Sequence, residues 1–152
     1  MRLVPLALLL LAVLPGCREQ RDQLRQALSG KPPVMAGSLE GDWQLADLNG
    51  GGAPDPAITL RFDGGDQNNR LAGSSGCNRF SGRWGQDGRT LKLGPFAATR
   101  MACAPAVLAV EQRFLAVLGD VGMLQFTAAG EAILTTRDGR RLLLRRPPPP
   151  AS

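Results

Sequence analysis

Cys77 lies in the stretch GSSGCNRFSGRW, residues 73–84, and Cys103 in TRMACAP, residues 99–105. A thiol pair can serve as nucleophile and resolving group, as metal ligands, or as the halves of a disulfide. The chain has no histidine, so the commonest base for activating a thiol and the usual partner ligand of a zinc site are both missing. Asp63, Asp66, Asp87 and Asp138 each lie near glycine in turn-like sequence, which does not set up a carboxylate pair for acid–base work. No EF-hand spacing occurs, and FDGGDQNN lacks the lysine and following helix of a phosphate-binding loop. The reading that follows is a non-enzyme without metal or cofactor.

The compartment decides between the remaining fates of the two thiols. MRLVPLALLLLAVLPGC opens with one cation, Arg2, and an apolar run from Leu3 to Leu14. That run is too short to span a bilayer and has the order of an export signal. LPGC at 14–17 resembles a bacterial lipobox, whose cleavage would leave Cys17 lipidated at the new N-terminus. Arg18 follows where inner-membrane lipoproteins typically carry aspartate, so the resemblance implies an outer-membrane lipoprotein facing the periplasm. With Cys17 taken by lipid, Cys77 and Cys103 remain as an even pair in an oxidising space, where disulfides persist. A bridge closing about 26 residues would contribute roughly 3–4 kcal/mol in the chain-entropy model. A reduced, buried pair is the alternative.

The segments fall in order as signal peptide (1–16), lipidated Cys17 with a tether (17–38), a folded body (39–146) and a proline-rich tail (147–152). The tether, polar and then rich in Pro, Gly and Ser, has room for a short helix over Asp22 to Leu28. The formal charge is +5, including Arg2, with cations concentrated toward the two ends. A basic rim suits anionic headgroups. Export, together with an aromatic content of 5%, argues against nucleic acid.

Within the body, AITLRF (57–62) alternates, with Ile58, Leu60 and Phe62 on one face. DGGDQNNR (63–70) predicts a turn into a strand from Leu71, and further short strands follow at 41–48, around Phe80–Trp84, and at 90–93, 122–128, 132–137 and 141–145. Asp138-Gly139 predicts a tight hairpin between the last two. One helix is predicted over 104–119. Its apolar stripe is Val107, Val110, Phe114 and Val117, widened by Leu108, Leu115 and Leu118, with Pro105 suited to the first turn and Gly119 to the stop. The fold class is mainly β with one helix (α+β): a curled antiparallel sheet of short strands with the helix over one opening or face.

GCNRFSGRW, LKLGPFAATRMAC and a helix containing EQRFLAVL together resemble the META domain, the HslJ-like family of bacterial envelope proteins. The resemblance runs from about Trp43 to Arg145. It rests most specifically on Gly76, Cys77, Asn78, Phe80, Gly82, Thr99, Arg100, Met101, Cys103 and Glu111. It implies an incomplete antiparallel β-barrel capped by a single helix, no known activity, and links in some members to heat induction, novobiocin resistance or motility. Asn78 and Arg79 can shape a turn or bind a ligand. Gly76 and Gly82 can ease bends in a curled sheet, and Arg100 can pair with Glu111 or take carbonyls near the helix start. Two functions stay open. One is a scaffold that meets an envelope protein partner through a sheet edge or outer face. The other is a carrier of an acyl chain or other hydrophobic ligand inside the barrel. Interior packing of Trp43, Phe62, Phe80, Phe96, Phe114 and Phe126 would favour the first.

Overall fold

The structure is a computed structural model, and residues 37–64 and 69–148 of the chain are described. The expected export signal, the expected lipidation at Cys17, the expected tether up to residue 36 and the tip of the proline tail lie outside the described residues.

Among the described residues nine strands and one helix follow one another in the order β1 (Gly41–Leu48), β2 (Thr59–Asp63), β3 (Arg70–Ser74), β4 (Arg79–Asp87), β5 (Thr90–Leu93), β6 (Ala97–Ala98), α1 (Pro105–Gly119), β7 (Val121–Phe126), β8 (Ala132–Thr136) and β9 (Arg141–Arg145). All pairings are antiparallel. The sheet runs β3-β2-β1-β9-β8-β7-β5-β4-β6, and an additional β3–β4 pairing joins its ends. Eight strands therefore close on themselves, while β6 is a short extra strand beside the first part of β4.

The strands read as half-buried because they are. Along β1 Trp43 and Leu45 point inward, along β2 Leu60 and Phe62, and along β9 Leu142 and Leu144. Neighbours two apart share a face, so one register sends a whole apolar set into the core. Trp43, Phe62, Phe80 and Phe114 are all at most 2% exposed, and Phe96 and Phe126 pack against the same cluster from its margin. The rings meet edge-on: Phe62 with Trp84 at 5.4 Å between centroids, Phe80 with Phe96 at 5.8 Å. That geometry suits aromatic quadrupoles.

Helix α1 begins with Pro105, whose missing amide donor costs nothing in the first turn. It buries Glu111, Phe114, Val117 and Leu118. The expected stripe is thus correct in its second half and shifted in its first, where Val107 and Val110 are only half-buried and a carboxylate takes the inward position. Phe114 packs its ring 5.6 Å from Phe80, which seats the helix on the barrel core.

The closure is uneven. β3 and β4 are in register from Arg70↔Arg83 to Ser74↔Arg79, whereas β5 and β7 share the single pair Thr90↔Met123. A backbone bond from Leu124 N to Arg89 O, 2.8 Å, adds to that thin seam. The incomplete barrel expected from the resemblance is here a closed one with a weak junction at β5–β7.

Candidate functional site

Ser75, Gly76, Cys77 and Asn78 form the connection between β3 and β4, and they meet α1 through its one buried acid. Glu111 accepts at Oε2 from Ser75 Oγ (2.5 Å) and from the Asn78 backbone N–H (2.9 Å). Its Oε1 accepts from Asn78 Nδ2 at 2.7 Å. Asn78 then works in the opposite direction: its Oδ1 accepts from the Met101 backbone N–H at 2.7 Å and from Thr99 Oγ1 at 3.0 Å. Thr99 Oγ1 in turn accepts from the Arg79 backbone N–H. One asparagine therefore links the β3–β4 turn, the segment leading into α1, and α1 itself.

The carboxylate is ionised. Burial pushes Glu111 up, but hydrogen bonds from Ser75 and from the Asn78 side chain and backbone outweigh it and hold the group below the ordinary glutamate range. Ser75, Asn78 and Glu111 are buried, at most 7% exposed. Among the described residues no buried side-chain nitrogen or oxygen lacks a partner. A carboxylate so occupied is a poor base and a poor ligand, and none of the surface grooves described below is lined by it. The cluster fixes geometry.

The disulfide reinforces the same place. Cys77 and Cys103 are bridged, with Cα atoms 6.4 Å apart, tying the β3–β4 turn to the approach to α1. Gly76 supplies the backbone shape, at φ 105°, a region costly for residues with a Cβ. The left-handed conformation belongs to Gly76 rather than to Asn78, whose contribution is its side-chain amide. Gly82 serves by absence of bulk: a Cβ there would lie 2.7 Å from the Phe96 ring and 3.0 Å from Pro95 O. Phe80 is a core residue. Arg79, Thr99, Arg100 and Met101 are exposed, Met101 at 60%. Arg100 is exposed and forms no ion pair with Glu111, which is buried and accepts from Ser75 and Asn78 instead. Ser75 was missing from the expected set; its place within the GSSGCN turn, with a helix acid to meet, was the available signal.

Shallow grooves mark the described surface. One, of about 780 Å³, lies along the β5–β7 seam among Lys92, Met123, Thr136 and Arg140. A second, of about 680 Å³, lies over β2, β3, β4 and β6, with Arg61, Arg70 and Arg79 in its wall. A third, of about 190 Å³, sits beside Trp43 and Phe126. There Arg146 stacks 3.9 Å from the Trp43 ring centroid and donates to Glu40 O and Ser38 O, pinning the start of the body to its end. Among the described residues no group of three His, Cys, Asp or Glu is placed to hold a metal ion.

A helix-capped antiparallel barrel, with a turn locked by one disulfide and one buried glutamate, defines the class of protein. A family model described as META domain matches residues 37–148, and the chain belongs to that family. Its fold is similar to that of a protein from Burkholderia xenovorans solved by NMR: 26% identity, 72% of this chain and 83% of that one covered, TM-score 0.58. A second NMR structure, 24% identical over 70% of this chain and 88% of its own, with TM-score 0.54, shares the fold. Among curated proteins none matches.

Proposed function

We propose that this META-domain protein is a non-enzymatic lipoprotein of the bacterial cell envelope, held by lipid on Cys17 at the outer membrane and facing the periplasm. In this reading it supports envelope integrity or stress tolerance by binding a partner on the outside of the barrel. The observation that carries the binding mode is the filled interior. Trp43, Phe62, Phe80 and Phe114 converge there with leucines from most of the strands, so side chains occupy the volume an acyl chain would need. That favours the scaffold over the carrier. The META family is not a known enzyme class, and the buried acid in this chain is saturated by its own donors, which supports a role without chemistry. The export signal and the lipobox-like LPGC support the anchor, and two or more acyl chains would make it stable.

Intact and native mass spectrometry of protein extracted gently from membranes tests each part. The expected result is a diacyl or triacyl mass on Cys17 and no second lipid retained. An unmodified Cys17 would sink the anchored reading. A stoichiometric hydrophobic molecule surviving in the native spectrum would instead establish the carrier.

A further inference from the structure

The outer face of β2–β3–β4 has a charge layout that the fold does not require. The register places its side chains in rows, because directly paired residues on adjacent strands share a face. One row is Thr59, Ser74, Arg79; the next is Arg61, Ala72, Ser81; the third is Asp63, Arg70, Arg83. Arg70 and Arg83 are thus directly opposed across a strand pair, an arrangement of like charges that destabilises a sheet. Among the described residues two carboxylates lie close by, Asp42 and Asp63, and Arg61 engages both, at 2.9 and 2.7 Å. Arg70, Arg79 and Arg83 form no ion pair among the described residues and are exposed.

Between these arginines the floor is small: Ala72, Ser74 and Ser81, with Gly73 below. The result is the open groove of about 680 Å³, lined by Arg61, Arg70 and Arg79 and, among the described residues, by no carboxylate; Arg61 is held by Asp42 and Asp63 outside that lining, and Arg83 flanks Arg70 beyond it. Arg70 and the Ser74–Arg79 row are four residues apart along β3, or roughly 13 Å. The Ser74, Ser81 and Thr59 hydroxyls have no side-chain partner among the described residues. Guanidinium forks flanking free hydroxyls over a floor that admits close approach match the tetrahedral oxygens of phosphate.

We propose that this groove binds phosphate groups, and that their source is the headgroups of an anionic phospholipid surface. The groove lies open on the barrel's outside rather than enclosed, as a site meeting a surface requires. The lipid source rests on the anchored reading above; the phosphate chemistry does not. Arg70 and Arg79 contact the phosphate oxygens, and Arg83 strengthens the field that draws them in.

The test uses the full chain labelled for amide NMR, mixed in turn with phosphatidylcholine discs, discs containing phosphatidylglycerol, and inorganic phosphate. The expected result is shifts at residues 70–74 and 79–83 with phosphatidylglycerol discs and none at these positions with phosphatidylcholine. Arg70→Gln/Arg79→Gln/Arg83→Gln should weaken the effect by roughly fivefold per cation removed. A charge-matched control, Arg113→Gln/Arg137→Gln/Arg141→Gln, should keep it. Because the readout is local, an anchor elsewhere in the chain does not mimic it. Equal shifts with inorganic phosphate alone would support the phosphate site and assign it to a soluble ligand, removing the membrane part. No shift with either phosphate source, or equal loss in the control, would overturn the proposal whether or not Cys17 carries lipid.

Discussion

The barrel closes at two junctions that have little in common. β3–β4 is in register along the whole of β3, bridged by Cys77–Cys103 through its turn, and locked to α1 by Glu111. β5–β7 has one registered pair and one additional backbone bond. The difference follows from the order of the chain. β4 follows β3 after a four-residue turn, so their pairing is local, whereas α1 intervenes between β5 and β7 and their pairing must be made across it. Cross-links gather at the turn because that is where the launch of α1 is fixed. Once α1 is seated there, it covers the barrel core and β7 starts directly after it. The strong junction thus supports the weak one.

Glu111 is the place to break that support with the largest effect. Glu111→Leu leaves the Asn78 backbone N–H and the Asn78 side-chain amide without their acceptor, while the Ser75 hydroxyl keeps only the Asn78 carbonyl at 2.9 Å, at about 3–5 kcal/mol. Glu111→Gln keeps the shape but must turn an NH₂ toward one of these donors, and should cost about 2 kcal/mol. Urea unfolding followed by tryptophan fluorescence measures both. The same group sets an acid limb. Its folded-state pKa lies below its unfolded value, so its contribution is fully present above the unfolded pKa and is lost as pH falls through the folded one. Stability should decline below the ordinary glutamate range in the native chain, and that part of the decline should vanish in Glu111→Gln.

Reducing the bridge is the next largest perturbation. Cys77→Ser/Cys103→Ser opens a constraint of 26 residues in sequence separation and should cost about 3.5 kcal/mol in the chain-entropy model. Combined with Glu111→Leu, the loss should depart from the sum of the two single losses, since both act on one turn. Strict additivity would show that the bridge and the acid support different parts of the structure rather than one turn.

How much of this was legible beforehand differs by kind of interaction. Strands with apolar residues at every second position, such as Ile58, Leu60 and Phe62, announce their inward face directly. Pro105 and Gly119 mark the ends of the helix to within a residue. The Asp138-Gly139 hairpin was readable from its dipeptide, with Gly139 at φ 88°. The polar cluster was not readable in the same way. Glu111 lies four residues after Val107, three before Phe114 and seven before Leu118, on the inward stripe of the helix, so the period marks its face, but its partners Ser75 and Asn78 come from a distant turn and meet it only on tertiary closure. Arg100 was a natural partner by charge, yet a carboxylate satisfied by neutral donors leaves it no place. The β3–β4 closure and the arginine rows were hidden too, because both depend on register, which a period-2 pattern fixes only up to the choice of partner.

Hydrogen exchange sharpens the comparison at smaller scale. The Ser75 N–H donates to Asn78 O inside the locked turn, and the Leu124 N–H donates to Arg89 O across the seam, both at 2.8 Å. If β5–β7 opens without the rest of the barrel, Leu124 should exchange at least about tenfold faster than Ser75, a difference of roughly 1.4 kcal/mol in opening free energy. Equal protection would mean that the seam opens only with global unfolding, whatever its sparse pairing.

The smallest effect expected has the opposite sign. Arg83→Gln relieves the charge opposed to Arg70 across β3–β4 and should stabilise the barrel by about 0.2–0.5 kcal/mol at low salt. The gain should fade as ions screen the pair, since the Debye length contracts to about 3 Å at 1 M. A thermal melt at two salt concentrations resolves it. A loss of stability would mean that the Arg83 side chain contributes packing that outweighs the repulsion. A salt-sensitive gain would show that the best-secured junction of the barrel carries a stability cost on its outer face, where a bound anion would relieve it.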